Sequence, residues 1–231
     1  MYFNFYTKNK GYFSSNRSPA YYLDKENCCN DIFTFEIIKT EKQTPKVIET
    51  INENLPLSLY FHNDEPDCST MDPITNLTYK ESYISYFCLK EEYIKQNKSP
   101  EKIQGFFDDR LKENFNKLDQ LLLKIKSALA QGQKIELQIK GFASPLFEAD
   151  YNINLSKRRI VSLLNYMEEF QNGSITQYLK NEQLVIYELP LGEAKSVNRV
   201  NDNPKNKKLS VYSLEAVLAR KIEIVRVKLK Q

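Results

Sequence analysis

Between positions 141 and 160 the chain gathers its most reactive assortment of side chains: Ser144, Glu148, Asp150, Asn152, Ser156, then Lys157, Arg158 and Arg159 in succession. Three consecutive cations beside hydroxyl, amide and carboxylate groups suit the binding of an anion. A carboxylate fits best, because an arginine fork takes one in two parallel hydrogen bonds. Upstream, Ile135, Leu137 and Ile139 alternate with Glu136, Gln138 and Lys140, the period of a half-buried strand. Downstream, Ile160, Leu163, Leu164, Met167 and Phe170 recur at helical spacing, so the segment joins a strand end to a helix start. Asn154 or Ser156 is the predicted cap, which places Lys157, Arg158 and Arg159 in the first turn. The helix dipole already puts partial positive charge there, and each added cation is unfavourable by about 0.3–1 kcal/mol. Either an anion sits at that helix start, held by free backbone N–H groups and an arginine fork, or Glu148 and Asp150 neutralise the cations.

No catalytic constellation accompanies these residues. His62 is the only histidine, carboxylates are scattered among Lys and Arg, and the six glycines build no phosphate-cradling loop. The four cysteines form no CxxC pair, so neither a zinc site nor any other metal or cofactor is expected. Lys and Arg total 33 against 30 Asp and Glu, and a net charge of +3 gives no argument for nucleic acid. No apolar run reaches the roughly 18 residues of a membrane span, and residues 1–10 lack the apolar core of a signal peptide. The chain reads as a binding module, not an enzyme.

The elements that must position the segment are legible around it. Leu57, Leu59 and Phe61 alternate with polar or amphipathic neighbours and run into the turn-forming Asn63-Asp64-Glu65-Pro66. Phe107, Leu111, Phe115, Leu118, Leu122, Ile125 and Leu129 mark one face of a long helix that Gly132 ends. Asn172-Gly173 stops the helix after the cations, residues 184–189 form a further strand, and 195–208 is a polar, basic stretch. A short helix over 210–219 and a closing strand from Arg220 complete the order. Between the first strand and the long helix, Thr78-x-x-Glu81 has the form of a capping box, followed by Tyr83, Tyr86, Phe87, Lys90 and Ile94 near helical spacing. That aromatic series is read as packing.

The stretch Gly141-Phe142-Ala143-Ser144, with Tyr151-Asn152, Leu155-Ser156 and Arg159, resembles the peptidoglycan-binding signature of the OmpA-like C-terminal domain family. That signature runs Gly-aromatic-Thr-Asp, a short loop, then Asn-x-x-Leu-Ser-x-x-Arg-Ala. Gly192-Glu193 and Arg220-Lys221-Ile222-Glu223-Ile224 resemble later landmarks of the family. The resemblance spans about residues 55–231, with a helical insertion at about 66–104. It implies an α+β fold of β-α-β-α-β order, a mixed sheet of about four strands with helices on one face. It implies a periplasmic, outer-membrane-associated tether that binds peptidoglycan stem peptides and anchors an envelope assembly. Arg159 would take a stem carboxylate together with backbone N–H groups near Leu155, Asn152 would order the loop, and Arg158 would share the anion or face the helix. Ser144 stands where the family has an aspartate for the stem's ammonium group, offering a neutral hydrogen bond in place of a charge-assisted one about twice as strong. Glu148 or Asp150 would then substitute from the same loop. The alternative is a protein-interaction domain of an outer-membrane complex that has kept the fold and lost the ligand site.

Near the N-terminus, Gly11-Tyr12-Phe13-Ser14-Ser15-Asn16-Arg17 and Asn30-Asp31-Ile32-Phe33 resemble the end of a TolB-type β-propeller repeat. A single blade cannot bury both its faces, so residues 1–38 are read as part of a longer propeller, with 39–54 as linker. Cys28 and Cys29 are too close in sequence for a strain-free bridge with each other. Cys68 and Cys88 bracket the insertion, to be bridged in an oxidising compartment or, for Cys88, buried as a small hydrophobe.

Overall fold

A computed structural model describes residues 3–15, 31–36, 46–193 and 200–230. The chain divides into two units, Met1–Gln43 and Thr44–Gln231. The first contains β1 (Phe3–Phe5), β2 (Lys10–Ser15) and β3 (Asp31–Glu36), an antiparallel sheet in that order. Gly11 is obligatory in it, because a Cβ would lie 2.3 Å from the Asn4 carbonyl oxygen across the ladder. Phe13 stacks on Phe33 at 5.4 Å between centroids. Cys28, Cys29 and the Asn16-Arg17 pair lie outside the described residues.

The second unit is a mixed α/β fold. Its strands are β4 (Leu57–Tyr60), β5 (Ile135–Ala143), β6 (Leu184–Glu193) and β7 (Lys221–Leu229), in the spatial order β4-β7-β5-β6. The two pairings of β7 are antiparallel, and β5 with β6 is parallel. The alternation read at 135–140 extends along all of β5, where every second side chain is buried. The buried set (Ile135, Leu137, Ile139, Leu57, Leu59, Ile222, Ile224) meets α5 (Lys112–Ala130) and α6 (Ala149–Gly173), which bury Leu118, Leu122, Ile125, Ile160, Leu163 and Met167. Half-buried Glu136 and Gln138, with exposed Tyr187 and Arg226, occupy the opposite sheet face. A four-stranded mixed sheet backed by helices is therefore the observed class. No helix among the described residues is long and apolar enough to cross a membrane.

The structure moves several boundaries. The expected linker contains α1 (Lys46–Asn52), whose Ile48 and Ile51 are fully buried in the main core. Its Asn52 both donates to the Val227 carbonyl (2.7 Å) and accepts from the Val227 N–H (3.0 Å), tying α1 to β7. Lys, Glu, Thr and Gln around two isoleucines hid a single amphipathic helix. The long helix read from Phe107 is preceded by a π-helical turn, Phe106–Leu111, and starts at Lys112. At the far end of α6, Gln171, Asn172 and Gly173 all have positive φ, the break expected at Asn172-Gly173. The basic stretch holds α8 (Lys207–Ser210), with residues 194–199 outside the described set. α9 (Leu214–Ala219) starts four residues later than read, capped by the Ser213 hydroxyl accepting from Ala216 N–H.

The insertion comprises α2 (Tyr79–Cys88), α3 (Lys90–Gln96) and α4 (Pro100–Gly105). The Thr78/Glu81 capping box is present in both directions. The aromatic series is packing, as read: Tyr86, Tyr93, Phe106 and Phe107 build a second core with Tyr60, Ile103, Leu111 and Val217. Neither expectation for the cysteines holds, since Cys68 and Cys88 are both free and exposed.

Candidate functional site

The β5–α6 connection differs from its reading in one decisive respect. α6 starts at Ala149 with Glu148 as its N-cap, not at Asn154 or Ser156, which both lie inside the helix. Lys157, Arg158 and Arg159 therefore sit more than two turns in, and Asp150 occupies the first turn with the sign the dipole favours. The electrostatic conflict that called for an anion at the helix start does not arise. Propensity could not place this start, because no Ser, Thr, Asn or Asp precedes Ala149 in capping position.

α6 lies close on β5 because of glycine. A Cβ at Gly141 would come 2.5 Å from the Ser156 carbonyl oxygen, and one at Gly192, whose φ is +58°, would come 3.1 Å from Ile153 Cγ1. The Ser156 hydroxyl donates to the Ile153 carbonyl (2.7 Å) and accepts from the Gly192 N–H (3.2 Å), clamping the end of β6 to the same turn of helix.

That approach buries both arginines. Arg158 and Arg159 have no solvent exposure, and their donors end on backbone carbonyls. Arg159 gives Nε to Glu65 O (2.9 Å), Nη1 to Phe142 O (2.7 Å) and Nη2 to His62 O (3.3 Å), with its guanidinium 5.3 Å from the Phe61 ring centre. Arg158 gives Nε to Pro66 O (3.1 Å) and Nη1 to Thr70 O (2.8 Å) and Asp72 O (2.6 Å). Two guanidiniums thus hold the loop 62–72, whose Asp64, Asp67 and Ser69 all adopt positive φ, a left-handed conformation unfavourable for non-glycine residues. Burial, then the like charge of Arg220, lowers the Arg159 pKa to about 9.

The loop brings carboxylates that the sequence reading treated only as turn formers. Asp64, nearly buried, accepts from the Ser69 N–H (3.0 Å) and from the Tyr151 hydroxyl, which itself accepts weakly from Arg158 Nη2 at 3.5 Å. Glu65 is half-buried, and its carboxyl pKa is raised by desolvation, then by Asp67 and Asp64, against the lowering pull of the Cys68 thiol and Arg159. The Cys68 thiol, exposed by surface area yet partly desolvated and 3.6 Å from Glu65 Oε1, is pushed up to about 11 by that desolvation, then by the carboxylates of Glu65 and Asp64. The acid density at Asp64, Glu65 and Asp67 was visible in the sequence, but only the fold sets it against Arg158 and Arg159.

The remaining predicted residues separate into two groups. Ser144, 4 % exposed, ends the β5 segment, and its carbonyl accepts from Leu146 N–H in a tight turn. Asn152, fully buried, donates Nδ2 to Phe147 O (2.7 Å) and Glu193 Oε1 (3.0 Å), while its Oδ1 has no partner. Asn152 therefore orders the 144–148 loop, and Leu155 packs beneath it with 2 % exposure. Glu148 and Asp150 are exposed and take part in none of the ion pairs among the described residues, and Lys157 pairs with Glu188 on β6. Phe147, Ile153 and Leu191 surround this end of the sheet as exposed apolar side chains.

The arrangement can present carboxylates and apolar contact at its surface while its cations act from below as braces. Among the described residues no cluster of His, Cys, Asp and Glu is disposed to hold a metal ion. Compared with known proteins, the chain matches no family model and no curated protein.

Proposed function

We propose that the chain is a non-catalytic binding module of OmpA-like type, a periplasmic tether that binds peptidoglycan stem peptides and holds an outer-membrane-associated assembly to the cell wall. The observation that carries this reading is the acidic loop braced against the motif: the backbone carbonyls of Glu65 and Phe142 share the Arg159 guanidinium, which ties the loop bearing the half-buried Glu65 carboxyl to the Phe142 end of β5. Three neighbouring acids, one of them desolvated, favour the ammonium group of a diamino acid. They supply from the 62–72 loop the charge that Ser144 lacks. Phe147, Ile153 and Leu191 offer the apolar contact that a small-ligand site needs beside its few polar anchors. Arg159 in this reading is a positioning residue, because direct contact with a stem carboxylate requires the carbonyls of residues 62–66 to move away.

A second reading has its own observation. Six backbone carbonyls already satisfy Arg158 and Arg159, which is how a retired ligand site would look once the insertion had closed over it. The domain would then serve protein–protein contacts in an outer-membrane complex. Titration of the full chain with a soluble stem peptide carrying a diamino acid separates the two. Binding that Glu65→Gln weakens at least about tenfold, the scale of one charge-assisted hydrogen bond, supports the tether. Absence of binding by the folded wild-type protein leaves the interaction domain.

A further inference from the structure

Arg220, at the entry to β7, is fully buried in the second core. Its Nη2 donates to the Val211 carbonyl (2.8 Å) and the Tyr93 hydroxyl (3.2 Å), while Nε and Nη1 have no partner. The Tyr86 hydroxyl, also fully buried, makes no hydrogen bond of full geometry, although Arg220 and Tyr93 lie within its reach. Ion pairs among the described residues are all lysine pairs, so Arg158, Arg159 and Arg220 form a buried cationic group without a carboxylate bound to any of them. Asp64 is the one nearly buried carboxylate nearby, and the Tyr151 hydroxyl stands between it and Arg158. Glu92 reaches only the Tyr212 hydroxyl at the surface. His62 gives no compensation either: burial, then Arg220 and Arg159, lower its pKa to about 3 and keep it neutral. An unpaired guanidinium in an aromatic core is among the most unfavourable burials a protein can make.

We propose that a single small anion of halide size binds inside the second core, against the open edge of the Arg220 guanidinium and the Tyr86 hydroxyl. Both groups are donors, both are buried in the same aromatic interior, and no ion pair among the described residues brings a carboxylate to Arg220. The anion would bridge Arg220, the residue leading into β7, to α2, which carries Tyr86, and so fasten the insertion to the sheet. Tyr93, on α3, joins the same group through its hydroxyl bonds to Arg220 and to His62 Nδ1 (2.7 Å). This site is independent of any ligand at the 62–72 loop.

The test is thermal melting of the full chain in sodium chloride against sodium gluconate at constant ionic strength. At about a hundredfold excess of chloride over its Kd, the melting temperature should rise by about 5–10 °C. Amide exchange in α2 and α3 should slow in step. Tyr86→Phe should raise the half-saturating chloride concentration at least about tenfold, and Arg220→Met should abolish the chloride effect. Should Arg220→Met fail to fold, Tyr86→Phe still decides, because it removes only a hydroxyl. Crystals soaked in bromide should give an anomalous peak against Arg220. Equal melting in chloride and gluconate, an unaltered chloride dependence in Tyr86→Phe, or water in place of bromide would each overturn the proposal.

Discussion

Arg159 on α6 donates its Nε to the carbonyl oxygen of Glu65 at 2.9 Å, so a helix side chain fixes the backbone of a loop almost a hundred residues earlier in sequence. Removing that side chain strands three buried carbonyls. Arg159→Ala should destabilise the protein by about 3–5 kcal/mol, the usual cost of breaking a buried charged network, whereas Lys157→Ala should cost about 1 kcal/mol or less. Urea denaturation of both variants checks this. Comparisons of ligand binding between them are meaningful only at matched stability.

His62 gives the protein a pH signature. Its folded pKa, about 3, lies below the unfolded value of 6.5, so between those limits the unfolded chain binds the extra proton. The resulting stability is complete above pH 6.5 and is lost as pH falls toward 3, at up to about 1.4 kcal/mol per pH unit. Glu65, with a raised pKa, acts in the opposite sense: its contribution is lost as pH rises through its folded pKa. Melting curves of wild type and His62→Gln across that window isolate the histidine, and the variant should show the shallower slope.

The close approach of α6 to β5 rests on one missing Cβ. Gly141→Ala would place a methyl 2.5 Å from the Ser156 carbonyl, backbone against backbone, where no side chain can swing aside. A loss of about 1–3 kcal/mol is expected from overpacking. Gly132→Ala meets no neighbour within 4 Å and should cost only its left-handed φ of +82°.

The position of α1 predicts where the second unit begins. A fragment starting at Leu55 lacks Ile48, Ile51 and the paired Asn52–Val227 hydrogen bonds. It should be less stable than one starting at Thr44 by about 3–6 kcal/mol, from two buried isoleucines at about 1.5–3 kcal/mol each. Chemical denaturation of the two fragments measures the difference.

How far the sequence could be read follows from the range of each signal. Local patterns sufficed for β5, for the Thr78/Glu81 cap and for the stop at Asn172-Gly173, since each depends on neighbours within a few residues. The start of α6 was misplaced because Glu148 caps it without a side-chain hydrogen bond, leaving Asn154 and Ser156 as better-looking candidates. The roles of Arg158 and Arg159 were beyond any local pattern. Consecutive arginines on a helix read as surface charge or as a ligand fork, and only the packing of residues 62–72 onto α6 turns them into braces. The same holds for Asp64 and Glu65, whose turn chemistry was plain and whose neighbours were not.

The order of the sheet constrains how this unit can be made. β7, the last strand of the chain, lies between β4 and β5, and the pairing Leu57↔Ile224 joins the first strand of the unit to the last. β4 consequently has no sheet to join until β7 has been synthesised, and α1 waits with it because Asn52 docks on Val227. A ribosome making the chain in order must release every element through β7 before the central ladder can close. Until then the apolar faces of β4 and β5 stand open together, the condition under which long-range pairings are slow and nascent chains call on chaperones. Topology thus makes the arrival of β7, rather than any earlier element, the event that commits the unit to its fold.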